Sequence, residues 1–218
     1  MNEQTHRYSG LVSQEEFNTR FGFSRSRIAL GYTQEEVSFL MGKHPYFYCE
    51  YEEMNAGNIS DQDKALLSDI YKTPFSAPLN FEPDDYGFKQ KRLIKGVRVF
   101  NEGVYHHTLE HPWLIIIDKE KKIKENKAIK FKELPFRIEQ HQEMDAINEF
   151  MAIVTDLLES SFLKLPRHPL DIYEQIRLYY FNPILRPKYL KQVIYELMAE
   201  KVLQMRTIEN KIHYSVQH

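Results

Sequence analysis

Two stretches of this sequence start helices in the same chemical terms: Ser13-Gln14-Glu15-Glu16 and Thr33-Gln34-Glu35-Glu36. In each, a hydroxyl can accept from the backbone N–H three residues on, while the Glu at that position reaches back to the hydroxyl residue's own N–H. Both orphan donors are then satisfied locally, so the pattern fixes where a helix begins. After the second box Val37, Leu40 and Met41 recur at helical spacing, and Gly42 is placed to stop the helix, since glycine takes positive φ freely. His44-Pro45 opens a third helix, with proline where its missing donor costs nothing. Ser60-Asp61-Gln62-Asp63 opens a fourth, whose apolar face is Leu66, Leu67, Ile70 and Tyr71. Four short helices in the first 78 residues leave room for little except a small helical bundle.

Composition bounds the rest. With 218 residues, 42% hydrophobic and 28% charged, the chain can bury a core, and wholesale disorder is excluded. A single cysteine, Cys49, excludes a disulfide framework and a multi-cysteine zinc site, and fits a reducing compartment. It lies beside the apolar positions of the third helix, with no neighbouring base, and reads as a packing residue. The longest apolar run, 112–117, is far too short for a bilayer, and the polar start MNEQTHRYSG does not read as a signal peptide. A soluble cytoplasmic protein without a membrane partner is expected.

Catalytic signatures are missing from the sequence: there is no GxGxxG, Walker loop, GxSxG or HExxH, so no enzyme and no cofactor are expected. His106, His107 and His111 cluster beside Glu110, but no second ligand pair at metal spacing accompanies them. They read as turn or surface histidines, and no metal is expected.

Past a proline-bearing connector over 72–92, β-branched and aromatic content rises between 93 and 118, which predicts two or three strands. A lysine-rich tip over 119–132 follows, ending in a further strand over 128–131. Residues 143–163 predict a long helix, its apolar face broad enough for a core or a dimer seam. Residues 170–181 and 187–202 predict two amphipathic helices. The alternation of Leu203, Met205, Ile212, Tyr214 and Val216 around Glu209-Asn210-Lys211 then predicts a hairpin. Charge is unevenly shared: residues 1–80 hold 7 Lys/Arg against 11 Asp/Glu, whereas 166–218 hold 8 against 5. A polyanion would feel the second block.

The segment over 27–52, with Gly31-Tyr32-Thr33-Gln34-Glu35-Glu36-Val37, Gly42 and aromatics leading to Glu52, resembles the lambda-repressor-like helix-turn-helix family of Cro and CI type. The resemblance covers about residues 13–75. It implies that Gln34 meets a phosphate and that Tyr46 and Glu50, with Pro45, face base edges. It also implies that Arg27 and Glu52 form an internal ion pair. The presumed reading surface departs from the family by offering Pro45, Tyr46, Phe47 and Glu50, with Glu53 on its flank, and no Arg, Lys, Asn or Gln. The back of the chain resembles a winged helix, though the usual middle helix is short or missing between Asn182 and Arg186. That likeness puts Arg186, Lys188, Tyr189, Lys191 and Gln192 on a recognition helix and Arg206 and Lys211 on the wing.

The expected fold is therefore mainly α with a smaller β component. It comprises a lambda-repressor-like bundle over 1–78, a mixed α/β middle region over 79–165, and a winged-helix-like unit over 166–218. The expected function is binding of double-stranded DNA as a homodimeric transcriptional regulator acting by occupancy. The alternative is a protein-interaction adaptor whose helix-turn-helix fold does not read DNA and docks a protein partner through Tyr46, Phe47 and their neighbours.

Overall fold

The computed structural model describes residues 4–73, 90–118, 123–179 and 185–217, with the backbone alone at His111, 113–118 and 123–127. In chain order these form β1 (Gln4–Val12), α1 (Gln14–Ala29), α2 (Gln34–Leu40), α3 (Phe47–Glu52), α4 (Asp61–Tyr71), β2 (Arg92–Asn101), β3 (Val104–Asp118) and β4 (Ile123–Glu133). There follow α5 (Gln140–Glu159), a 3-10 turn (Phe162–Lys164), α6 (Pro169–Tyr179), α7 (Pro187–Ala199), β5 (Leu203–Ile208) and β6 (Lys211–Val216). Most of the connector expected over 72–92, the tip at 119–122 and Asn182 lie outside the described residues.

The expectation of a mainly α chain is corrected. The protein is mixed α/β, with a four-stranded antiparallel sheet in the order β1-β2-β3-β4 and a two-stranded sheet β5-β6. β1 escapes a sequence reading because it is an edge strand, exposed over most of its length, and therefore polar. β4 is longer than the strand expected over 128–131, because the lysine-rich run before it continues to pair with β3.

Two compact units emerge, neither continuous in the chain: Met1–Gly31 with Cys49–Phe136, and Tyr32–Tyr48 with Arg137–His218. In the first, successive residues of each strand point to opposite faces of the sheet. Tyr8, Val12, Ile94, Leu109, Ile129 and Phe131 form one core cluster with Phe17 and Phe21 of α1 and with Met54. Gly96 leaves room for the Tyr8 ring, since a Cβ there would stand 2.3 Å from it and force the ring to move. Ser13 caps α1 as its sequence predicts, with Glu16 N–H donating to Ser13 Oγ at 3.2 Å and Ser13 N–H to Glu16 Oε2 at 2.8 Å.

In the second unit α5, α6 and α7 pack together and α2 lies on α6 and α7. Thr33 and Glu36 form the second capping box. α2 ends at Gly42, whose φ of 63° is left-handed and whose carbonyl accepts from Ile212 N–H of β6 at 2.7 Å. An isolated antiparallel bridge joins Arg167, between α5 and α6, to Tyr214. The helix expected over 143–163 begins earlier and stops sooner, at Gln140 and Glu159, and its buried Ile147, Phe150, Val154 and Leu157 belong to this core.

Candidate functional site

In the first unit, α1, α3 and β4 converge on Arg27. Its Nε donates to Glu52 Oε2 at 2.8 Å, its Nη2 to Glu52 Oε1 at 2.8 Å, and its side chain is 1% exposed. A third member, Glu133, lies 106 positions away; Arg27 Nη1 reaches its Oε1 at 2.7 Å and Nη2 its Oε2 at 3.0 Å. His107 Nε2 shares Glu133 Oε2 at 3.0 Å, and its ring stacks on Phe131 with centroids 4.6 Å apart. Burial works against the Glu133 carboxylate, but the hydrogen bonds from His107 and Arg27 overcome it and hold its pKa down at about 2. His107 is thus a buried partner of a carboxylate, where the sequence reading had a turn or surface histidine. His106 lies on the opposite face of β3, and the His111 side chain lies outside the described residues. Among the described residues no group of three or more His, Cys, Asp or Glu could hold a metal ion.

Cys49 is half-buried, and its thiol is pushed up to about 11 by desolvation and by Glu53 beside it, so little thiolate forms near neutrality. Tyr46 is 70% exposed, and Pro45 and Glu50 are exposed, whereas Gln34 is half-buried in the first turn of α2.

The cations expected on a recognition helix are already engaged. Arg186, placed there on a solvent face, is 4% exposed and fixed to Glu36 through Nε to Oε1 at 3.0 Å and through a second bond from Nη2 to Oε2. Tyr189 is 1% exposed. Both are corrections: Arg186 is held by Glu36 where α2 packs on α7, and the Tyr189 ring lies 6.0 Å from that of Phe150 in α5. Lys188 Nζ bonds Glu143 of α5, and Lys191 Nζ bonds Glu35 of α2. Gln192, exposed, spends its Nε2 on Glu196 at 3.0 Å. Of the wing pair, Arg206 is exposed and Lys211 half-buried. A phosphate would have to displace a carboxylate at each of three cations before counterion release could add affinity.

Neither Glu133 nor Glu143 stands out in the sequence, and the hold of Glu35 and Glu36 on Lys191 and Arg186 does not either. Their partners lie far off in sequence, and only the capping role of Glu36 leaves a local signal. No family model, no curated protein and no solved structure matches this chain.

Proposed function

We propose that the protein is a protein-interaction adaptor that uses a helix-turn-helix-like segment without reading duplex DNA. One observation carries this reading: Arg186, Lys188 and Lys191 are each bound by a carboxylate of their own unit, namely Glu36, Glu143 and Glu35. The turn before α3 adds exposed Pro45 and Tyr46 of the same unit, an apolar and aromatic surface suited to protein contact. Gel shift of a random duplex at low salt tests it. No shift is expected at micromolar protein, and the double change Glu35→Gln with Glu143→Gln, both at solvent-facing acids, should delay elution from heparin by freeing Lys191 and Lys188. A duplex bound with a log–log salt slope of about three units or more would overturn the reading, since that slope reports three or more phosphate contacts.

One specific observation favours the second reading, DNA binding. The order α5, bridge at Arg167, α6, α7, then the β5-β6 hairpin supports the winged-helix likeness expected from the sequence, and Arg206 on the hairpin has no ion-pair partner among the described residues. On this reading the protein binds as a homodimer on paired half-sites. Arg206→Ala would weaken binding to all sequences alike, and sedimentation would show dimers at micromolar concentration.

A further inference from the structure

The first unit contains a groove of about 560 Å³ between α1 and the free edge of β4. Its helix wall is Phe21, Arg25, Ile28 and Ala29, which fall on one face of α1, and its strand wall runs from Ile129 to Lys132. The size is that of a ligand site rather than a packing defect. Three features of the walls narrow the occupant.

First, β4 ends the sheet order, so among the described residues no strand lies along its outer side. An edge strand turns the N–H and C=O of alternate residues outward, ready to pair with another extended chain. Second, the two faces of that edge differ. Ile129 and Phe131 belong to the core face, whereas Lys130 and Lys132 alternate with them on the opposite face and are exposed. Third, every charged side chain lining the groove is a cation: Arg25, Lys130 and Lys132, none with an ion-pair partner among the described residues.

We infer that this groove binds an extended acidic peptide of a partner protein, which adds to β4 as a fifth strand. Alternate apolar residues of the peptide enter the groove beside Ile28 and Phe131, and the intervening acids stand opposite Lys130 and Lys132. Cross-strand opposite charges stabilise such a pairing, and like charges oppose it. The same lysines disfavour a second copy of this chain pairing antiparallel through β4 in the register that sets Lys130 opposite Lys132. They exclude basic strands for the same reason. The bidentate contact of Arg27 with Glu133 ties the last turn of α1 to the end of β4, so both walls are fixed before anything binds. Leu30 and Leu134, one and two residues beyond the walls in sequence, are 44% and 71% exposed.

The assignment rests on the adaptor reading and names the chemistry of its partner. The probe is a fluorescein-labelled hexapeptide of alternating valine and glutamate, titrated into the full chain and followed by anisotropy. Two unlabelled peptides serve as controls: a block-ordered one of the same composition, and one alternating valine with lysine. Binding of the alternating acidic peptide at least tenfold tighter than either control is expected, with slowed amide exchange along β4. The triple change Arg25→Glu, Lys130→Glu, Lys132→Glu, at exposed positions, should reverse the preference toward the valine–lysine peptide, also by roughly tenfold. Equal binding of ordered and block peptides, or an unchanged preference in the triple variant, overturns the inference. Duplex binding separates the two levels: a chain that binds neither duplex nor peptide loses the groove and keeps the adaptor reading. One that binds both keeps the groove and loses the adaptor reading.

Discussion

His168 shows how a single side chain couples the second unit to pH. It precedes α6, and its Nδ1 accepts from Leu170 N–H at 3.3 Å, so the ring acts as a helix cap only while Nδ1 is unprotonated. Burial lowers its pKa from 6.5 to about 4, against the opposing pull of the Met41 carbonyl and Asp171, with His213 and Lys211 nearby adding to the depression. The unfolded chain therefore binds the extra proton between pH 6.5 and 4, and the folded chain does not. Stability is full above about 6.5 and falls, by roughly 3 kcal/mol in total, as pH drops toward 4. Asn at this position keeps an acceptor for Leu170 but does not titrate. Urea titrations of His168→Asn should lose this limb of the pH profile while holding most of the stability at pH 7. An unchanged limb would refute the assignment. Gly42 touches the same ring: a Cβ there would stand 2.7 Å from His168 Nε2 and 2.9 Å from the Ile212 carbonyl, at a φ of 63°. Gly42→Ala should cost about 1–2 kcal/mol from the left-handed backbone alone, and more from the contacts. A change below half of that in chemical denaturation would count against it.

At the scale of elements, Arg27 fastens α1 to α3 and to β4, and its two carboxylates make the fastening asymmetric in chemistry. Arg27→Met would leave Glu52 and Glu133 without their shared cation in a buried site, a loss of roughly 3–5 kcal/mol by urea unfolding. Glu133 supplies a second pH limb, of the carboxylate kind. With its pKa held at about 2 against the usual 4.5, its contribution is present above 4.5 and disappears as pH falls toward 2. Glu133→Gln should flatten acid unfolding in that window while leaving the His168 limb between 6.5 and 4 in place. What could be read in advance from sequence divides by range. The capping boxes at Ser13 and Thr33 and the stop at Gly42 were legible because each is decided within a few residues. The pairing of Arg27 with Glu52 was reached only through a family resemblance. Glu133 left no local mark, and neither did the partner of Arg186, since Glu36 already had a sufficient reason to exist as a helix cap. β1 carries no strand signal of its own because pairing with β2, not its apolar content, makes it a strand. The open edge of β4 needs the sheet order, which alternation alone cannot supply.

For the whole molecule, the partition of the chain matters more than its list of elements. The first 78 residues, which the sequence presents as one small bundle, are divided between the two units at Gly31 and again at Tyr48. Phe17 and Phe21 belong with the core of the sheet, while Val37, Leu40 and Met41 are buried in the unit that holds α6 and α7. An isolated fragment of residues 1–78 would expose both sets. It should show no cooperative thermal transition by circular dichroism and poorly dispersed amide signals. A sharp transition with dispersed amides would show instead that the helices need neither the sheet nor α5 to α7.

The ion pair of Glu36 with Arg186 spans 150 residues of chain, and vectorial synthesis gives that number a duration. At about 5–20 residues per second, Glu36 is joined to the chain roughly 8–30 seconds before Arg186 is. During that wait the nascent chain can complete the first unit only by carrying Tyr32–Tyr48 as an unpaired excursion, held at its start by nothing more than its own capping box. Such long-range closure is slow for entropic reasons, so the second unit should close after the first. The order of synthesis thus sets the order in which the two units can be completed.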